Sequence, residues 1–481
     1  MASVLANSLA MLAARLLVPL FSFAINLGIA RVLGAHELGQ YVQLIAILLV
    51  VQALAGGGLT QLVTRDAAAR PAEAEALARR ANVVGTALAL AATAALLAYQ
   101  ALVLGPELRT AAGMLALSVV PSAWIAVQEG LFMAAHRHYW IAVIALVEGV
   151  VKLAVAGAVL LAGGGLVGLC IGLTLARLVA LGLGAALTAR LGLRGLHRAP
   201  GGGSLAFARE LLPFAGIFTL AMLYFRQDVL VVGALRSEAE TGLYGVAATL
   251  YAMSLLGPTS VMSALFPRLA ASHAASPSAY RDATVLSAKL LAAGGVAATL
   301  VLLVLAGPLV RLLYGAEFEG AVPVLGLLFA ILPLHGVNTV LGQALQAAHL
   351  QGPILTMTAA AVAVNLVALF LLVPQLGIAG GAWSLLLTSG ISLLWMGAIY
   401  HRHVSPLAPK PRQLVMPFAL AGPIVLVLAS PERLRMPAAA GGLVLLAAGA
   451  LLSGLVERDD LARLLSGLRA RTPAPADGKG A

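Results

Sequence analysis

Residues 140–189 read WIAVIALVEGVVKLAVAGAVLLAGGGLVGLCIGLTLARLVALGLGAALTA, and this stretch decides the class of fold. A helix needs about 20 apolar residues to cross the roughly 30 Å of hydrocarbon in a bilayer. The stretch is too long for one crossing, and Gly163, Gly164 and Gly165 near its centre are typical of a tight turn. It therefore predicts two membrane helices joined by a glycine turn.

The whole chain shares the composition of this stretch. Of its 481 residues, 61% are hydrophobic and 10% are charged, whereas about 25% of the residues in soluble domains are charged. The excess of hydrophobic over charged residues excludes a soluble enzyme, a coiled coil and a disordered chain. The continuous apolar runs exclude a β-barrel. The single cysteine, Cys170, excludes a disulfide framework. We expect an all-α polytopic membrane protein with no cofactor and no metal site.

Apolar runs of the length of a membrane span recur along the chain, and fourteen can be counted. Their approximate limits are 8–30, 42–63, 83–104, 112–134, 140–162, 166–189, 211–233, 243–266, 287–310, 322–346, 352–373, 379–400, 414–430 and 438–456.

The formal net charge of +11 is explained by loops beside a membrane, and nucleic acid is not an expected partner. Four of the 30 Lys and Arg residues lie in the interiors of the runs, and Lys289, at the edge of the ninth run, is counted with its loop. Of the others, twenty fall in one alternating set of loops and six in the other set. Because cytoplasmic loops are richer in Lys and Arg, both termini are predicted to be cytoplasmic.

Two short patterns recur in the second half of the chain. A shift of 203 residues places Glu37-x-Gly39-x-Tyr41 on Glu240-x-Gly242-x-Tyr244. A shift of 213 residues places Ala134-Ala135-His136 on Ala347-Ala348-His349.

These recurrences predict that spans 1–6 and spans 7–12 are two copies of one six-helix unit. An even number of spans per copy gives both copies the same orientation, which is a parallel repeat. The expected organisation is an N-lobe at 1–203, a C-lobe at 204–403, two further spans in 404–456 and a cytoplasmic tail at 457–481.

Charged side chains inside the predicted spans are the candidates for function. Each costs at least about 2.5–3.5 kcal/mol at the centre of a bilayer, so it is expected to face a cavity or a partner. The charges in span interiors all lie in the first six spans or in the seventh: Arg15, Glu129, Glu148, Lys152, Arg177, Arg226 and Asp228.

The arginines are candidates to bind an anionic head group, because a guanidinium offers a fork of donors to phosphate oxygens. Arg15 shares a helix face with Ser22 and Asn26. The predicted substrate ligands are Arg15, Ser22, Asn26, Arg177 and Arg226. The alternatives are structural: Arg15 reaches to the cytoplasmic surface, and Arg226 pairs with Asp228 or another acid.

The remaining intramembrane charges are candidates for coupling or for ion pairs. Glu148 and Lys152 are four residues apart, which suits an ion pair on one helix. Glu129 is placed to meet Lys152 or Arg177. Asp228 or Glu148 is a candidate proton-coupling site if burial raises its pKa.

The segment Arg31-Val32-Leu33-Gly34-Ala35-His36-Glu37-Leu38-Gly39-Gln40-Tyr41 resembles the R-x-L-G-x-x-x-x-G-x-Y signature of polysaccharide flippases. These belong to the multidrug/oligosaccharidyl-lipid/polysaccharide exporter superfamily. The segments Gly242-Leu243-Tyr244 and Leu312-Leu313-Tyr314-Gly315 are also similar to the family's pattern. The residues that carry the resemblance most directly are Arg31, Gly34, Gly39, Tyr41, Gly242 and Tyr244.

The resemblance implies two six-helix lobes around a central cavity that opens to each side in turn. It implies a substrate of undecaprenyl-diphosphate-linked oligosaccharide, moved to the periplasmic leaflet of the bacterial inner membrane for surface polysaccharide export. The expected partners are membrane lipids, a polysaccharide polymerase and glycosyltransferases, and the expected state is a monomer.

Two other transport functions stay open: export of small drugs coupled to a cation, and translocation of the lipid-linked peptidoglycan precursor. An enzyme is not expected, because the chain lacks a G-x-x-x-x-G-K-[ST] loop, an H-E-x-x-H pair and a G-x-S-x-G elbow.

Overall fold

The computed structural model describes residues 2–103, 105–192, 203–404 and 416–453, with only the backbone of some of them, Arg15 and Arg268 included. The described chain is helical and contains no β-strand. Its α-helices are α1 (Ala2–Leu33), α2 (Ala35–Gly56), α3 (Leu59–Ala69), α4 (Ala74–Val103), α5 (Pro106–Ala116), α6 (Val119–Ala134), α7 (His138–Leu161), α8 (Gly165–Ala189), α9 (Ser204–Leu235), α10 (Glu238–Ser254), α11 (Leu256–Ala275), α12 (Pro277–Leu313), α13 (Val322–Phe329), α14 (Leu332–Ala347), α15 (Gln351–Leu376), α16 (Ile378–His403), α17 (Met416–Ala429) and α18 (Arg435–Ser453).

The helices lie where the apolar runs predict them. Within the described residues, ten helical segments are long and apolar enough to cross a membrane, and a pair bent by 42° at Phe329–Leu332 makes an eleventh. Three shorter apolar helices, at Leu17–Leu33, Leu420–Ala429 and Arg435–Gly449, fall on the other predicted runs. The all-α multi-pass membrane fold is confirmed, and the total of fourteen spans stays a prediction.

Some predicted spans are broken near their middle. In the fourth span, α5 ends at Ala116 and α6 begins at Val119; in the tenth, α13 ends at Phe329 and α14 begins at Leu332. The amide of Ser118 donates to the Leu115 carbonyl at 2.9 Å, and that of Ile331 donates to the Leu328 carbonyl at 3.0 Å. The backbone at each break therefore bonds within its own turn, as it must in a lipid environment.

The repeated sequence patterns adopt the same backbone conformation. His136 and His349, which end the copies of the Ala-Ala-His pattern, have φ angles of 56° and 59°. Gly165, the first residue of α8, and Gly377, which precedes α16, have φ angles of 58° and 63°. A left-handed conformation is uncommon for a residue other than glycine, so its occurrence at both histidines supports the predicted repeat.

Packing divides the chain into two compact units. The first comprises Met1–Met253, Val310–Val324 and Thr358–Ser384. Within it, α1 packs along α7, α7 packs along α8, and α2 packs along α9.

The second unit comprises Ser254–Leu309, Leu325–Met357 and Leu385–Ala481. Within it, α17 packs along α18, and both contact α12 through an apolar cluster that includes the buried residues Leu300 and Val427. The lobe limits expected from the repeat stay a prediction.

Two helices of the first unit approach each other closely at glycines of the repeated pattern. A Cβ atom on Gly39 of α2 would overlap the backbone carbonyl oxygen of Glu238 at the start of α10. A Cβ atom on Gly242 of α10 would overlap the carbonyl oxygen of Ala35 and lie 3.2 Å from the Gly39 nitrogen. The two contacts are reciprocal, since each glycine faces the residue four positions before the other glycine.

We expect Gly39→Ala and Gly242→Ala each to destabilise the protein, because the obstructing atoms are backbone and cannot change rotamer. Overpacking of this kind costs about 1–3 kcal/mol. The measurement is the midpoint of thermal unfolding of the purified protein in detergent.

The matched control is Gly182→Ala in α8, where a Cβ atom would meet nothing within 4 Å. Alanine favours a helix over glycine by up to about 1 kcal/mol, so this midpoint should stay unchanged or rise. Equal midpoints for all three variants would contradict the proposed close contact.

Candidate functional site

Three charged side chains of the predicted spans form one ion-pair network between α7 and α8. The Lys152 Nζ atom lies 2.7 Å from Glu148 Oε1, and Arg177 donates from Nη1 to Glu148 Oε2 at 3.0 Å. The side chain of Glu148 is 9% exposed. Each oxygen of this buried carboxylate therefore faces one cation.

Helical spacing and the glycine turn together build this network. Glu148 and Lys152 are four residues apart, so they lie on one face of α7. The turn at Gly163 reverses the chain, and Glu148 and Arg177 lie nearly the same number of residues from it. At 1.5 Å per residue, both lie about 22 Å along their helices from the turn. The antiparallel helices therefore bring the two side chains opposite each other.

Glu129 on α6 adds a second acid to this group. Its carboxyl group interacts electrostatically with Arg177 and with Glu148. The structure thus places Glu129 near Arg177, one of the two partners that the sequence leaves open. Glu129, Glu148, Lys152 and Arg177 are named here the charge quartet, and their formal charges cancel.

The predicted polar stripe of α1 lies on a helix that packs beside the charge quartet. The Gly149 backbone faces the Phe21 ring so closely that a Cβ atom would be 2.8 Å from Phe21 Cε2. Ser22 donates to the Val18 carbonyl at 3.3 Å, and Asn26 donates to the Ser22 carbonyl at 2.9 Å. Both side chains thus bond to their own helix, and the side chain of Arg15 lies outside the described residues.

Asp228 on α9 is held by a hydrogen-bond network of its own. The Tyr244 hydroxyl donates to Asp228 Oδ2 at 2.7 Å, and the Val229 amide donates to Oδ1 at 2.8 Å. Tyr244 is fully buried and lies against Gly381, where a Cβ atom would be 2.8 Å from the Tyr244 ring. The motif tyrosine therefore orients the one intramembrane acid of the seventh span.

The two neighbours of Asp228 toward the N-terminus have unpartnered polar atoms. Arg226 interacts electrostatically with Asp228, but its buried Nε atom makes no hydrogen bond. Gln227 is 0% exposed, and neither its Nε2 nor its Oε1 atom has a hydrogen-bond partner. A buried amide without partners costs about 1–3 kcal/mol, so Gln227 is a further candidate for function in this segment. Sequence reasoning missed Gln227, because nothing in its spacing shows that it is buried.

A cavity of about 250 Å³ with several charged lining residues lies at the ends of α3, α4 and α9. Its charged lining residues are Asp66, Arg70, Glu73, Arg80 and Glu210. None of the predicted substrate ligands lines it. Arg65 bridges its edge, with Nη2 2.5 Å from Glu210 Oε1 and Nε 2.7 Å from Asp66 Oδ1.

Comparison with known protein families shows the family to which the chain belongs. Residues 29–323 match the family described as "Polysaccharide biosynthesis protein". The chain belongs to this family. The match begins beside Arg31 and includes the charge quartet, Asp228 and Tyr244. No curated protein matches the chain by sequence.

The fold is shared with solved structures of membrane transporters. The "Lipid II flippase MurJ, inward closed conformation" has a TM-score of 0.72 and 13% identity over 92% of this chain and 97% of that chain. An inward-facing MATE multidrug resistance transporter of the MOP superfamily has a TM-score of 0.65 and 13% identity, with coverage of 81% and 98%. An outward-facing MATE transporter has a TM-score of 0.57 and 14% identity, with coverage of 83% and 96%.

The family match confirms the resemblance that the Arg31 segment shows to a polysaccharide family. At such low identity the solved structures show the fold alone. The protein is a multi-pass membrane protein of the polysaccharide biosynthesis family, and its fold is like that of solved membrane transporters. The roles of its individual site residues stay predictions.

We expect Glu148→Gln to destabilise the protein, because it leaves Lys152 and Arg177 without their shared carboxylate. Removing one partner of a buried pair costs about 3–5 kcal/mol, which is an upper limit here since both cations are partly exposed. Thermal unfolding in detergent measures the effect.

The control is Glu75→Gln, which removes an i,i+4 pair with Arg79 on a more exposed surface. Such surface pairs contribute about 0.3–0.5 kcal/mol, so the midpoint should hardly move. A Glu148→Gln midpoint equal to that of the control would show that the ion pairs of Glu148 add nothing to stability.

Proposed function

We propose that this protein is a flippase that moves undecaprenyl-diphosphate-linked oligosaccharide repeat units from the cytoplasmic to the periplasmic leaflet. The family match and the fold support transport of a polysaccharide precursor, and the intramembrane arginines support an anionic head group. We further propose the bacterial inner membrane as its location, cytoplasmic termini and a monomeric state. Polysaccharide polymerase and glycosyltransferases are the proposed partners.

The charge quartet is the observation that carries this proposal. In the described conformation Glu148 supplies the negative charge that Lys152 and Arg177 require. A diphosphate offers more acceptor oxygens than one carboxylate, and a guanidinium binds two of them at once. The substrate head group therefore competes with Glu148 for the two cations. The charge quartet exchanges the Glu148 carboxylate for the diphosphate of the substrate, so that neither Lys152 nor Arg177 is left unpaired in the membrane.

Protonation gives a route to couple this exchange to an ion gradient. A proton on Glu148 would remove its charge and release Lys152 and Arg177 to the substrate. A proton on Asp228 would instead change the bond with Tyr244, in which the carboxylate is now the acceptor. Both acids are thus proposed coupling groups. Transport that survives Glu148→Gln, Asp228→Asn and collapse of the proton gradient would rule out this coupling.

A peptidoglycan-precursor flippase is the second candidate, because the TM-score is 0.72 with the lipid II flippase. Rescue of cells depleted of their own lipid II flippase would distinguish a peptidoglycan-precursor flippase from the proposed oligosaccharide flippase. A cation-coupled drug exporter is tested by drug susceptibility of a deletion strain. An enzyme is not proposed, because the fold is shared with solved structures of transporters.

We expect deletion of the gene to trap the oligosaccharide-linked carrier lipid in the cytoplasmic leaflet and to abolish the surface polysaccharide. Extraction of lipids, followed by mass spectrometry and by glycosidase access in inverted vesicles, measures the trapped precursor. The complemented strain is the control. Normal surface polysaccharide after deletion, in a strain without a second flippase, would refute the proposal.

We expect Arg177→Ala and Arg226→Ala each to reduce export about 10- to 100-fold, the equivalent of one charge-assisted hydrogen bond of about 1.5–3 kcal/mol. Arg226→Lys keeps the charge but loses the fork and should retain part of the activity. Arg15→Ala tests the remaining predicted ligand in the same assay.

Arg281→Ala is the matched control, because Arg281 is exposed and pairs with the adjacent Asp282. Export is compared at equal amounts of protein in the membrane. Full activity of both the Arg177 and the Arg226 variant would refute their assignment as substrate ligands.

A further inference from the structure

The motif residue Arg31 joins two helix ends that are far apart in the sequence. It lies in the last turn of α1, and its Nε atom donates to the Leu313 carbonyl at 2.5 Å. Its Nη2 atom donates to the carbonyl of Leu312. Both acceptors belong to the last turn of α12, 281 and 282 residues further along the chain.

The C-terminus of α12 is a natural acceptor for a guanidinium group. The last carbonyls of a helix have no partner within it and carry the negative end of the helix dipole. The amides of Tyr314 and Gly315 both donate to the Val310 carbonyl. The carbonyls of Leu312 and Leu313 are therefore left for Arg31, whose fork of donors fits two adjacent acceptors.

A buried aromatic contact lies beside this exposed polar one. The rings of Phe23 on α1 and Tyr314 are 6.3 Å apart between centroids and meet edge to face. Tyr314 is 2% exposed, whereas Arg31 is exposed. Water can replace the carbonyls as acceptors of an exposed guanidinium, so the polar contact can open at low cost.

Each of the two joined helices is followed within two residues by a glycine in an unusual conformation. Gly34, the single residue between α1 and α2, has a φ of 90°, and Gly315, after α12, has a φ of 108°. A Cβ atom on either would meet nothing within 4 Å. Such positions can absorb a large change in backbone dihedrals, as hinges do.

We propose that Arg31 is a latch, which holds the end of α1 on the end of α12 in this conformation and releases it when the transport path opens on that side. The proposal rests on the proposed function, since it assumes a transporter that opens to each side in turn. In the predicted orientation the latch is periplasmic. It also accounts for two family patterns at once, because the Arg31 segment binds the Leu312–Gly315 segment.

The test measures the distance between spin labels on Val32 and Leu312, which are 56% and 72% exposed. Both are replaced by cysteine in a Cys170→Ala background, which removes the one native thiol. We expect one short, narrow distance distribution with Arg31 present. Arg31→Ala should add a second population with a longer distance between the labels. Arg31→Lys, which has no fork of donors, should add the same population in a smaller amount.

Arg311→Ala is the control, because Arg311 lies in the same turn of α12 and pairs with Glu319 at 2.7 Å. It should leave the distribution unchanged. If Arg31→Ala does not accumulate in membranes, Arg31→Lys and Arg31→Gln carry the test. Identical distributions for wild type and every Arg31 variant would overturn the latch.

Export measured in parallel separates this proposal from the proposed function. If Arg31 acts as the latch, Arg31→Ala should lower export several-fold. The reason is that the closed state, through which the transporter returns to its starting conformation, is less populated. If deletion of the gene leaves surface polysaccharide normal, the flippase function fails, whatever the labels show. If deletion abolishes export but the label distances do not respond to Arg31, only the latch fails.

Discussion

The contact between the backbones of α2 and α10 at Gly39 and Gly242 is the constraint on which the first unit depends. Each glycine accommodates a carbonyl group of the other helix, so no side chain can occupy either position. Two residues further along, the tyrosines of the same pattern point into the protein, and Tyr244 reaches Asp228. The fixed crossing thereby sets the position of a hydrogen bond to an acid inside the membrane.

The two copies of the repeat keep the same turns but differ in charge. The offset of 213 residues places Glu148 and Lys152 on Ala361 and Asn365. The offset of 212 residues between Gly165 and Gly377 places Arg177 on Ser389. The second copy thus has one small apolar and two polar residues where the first copy has an ion-pair network. A shared backbone with unequal chemistry is expected when only one copy must hold an anionic group, since each intramembrane charge adds an insertion cost.

Sequence predicts the elements of this protein better than their contacts. The apolar runs locate the helices, the glycines locate the turn before α8, and i,i+4 spacing pairs Glu148 with Lys152. It cannot predict that Arg177 joins that pair, because lipid-facing and helix-facing surfaces are equally apolar and hydropathy does not show which helices meet. It also misses the breaks at Ser118 and Ile331 and the acceptors of Arg31, because these are backbone features without a side-chain pattern.

The reciprocity of the glycine contact has an evolutionary consequence. An interface in which position i of one half meets position j of the other, and j meets i, is isologous, the kind that two identical chains form about a two-fold axis. Gly39 with Glu238 and Gly242 with Ala35 meet this definition within one polypeptide. A single six-helix ancestor would have needed no new surface to pair with its own copy. Fusion of two such copies would allow the halves to diverge, and here only the first half has the ion-pair residues.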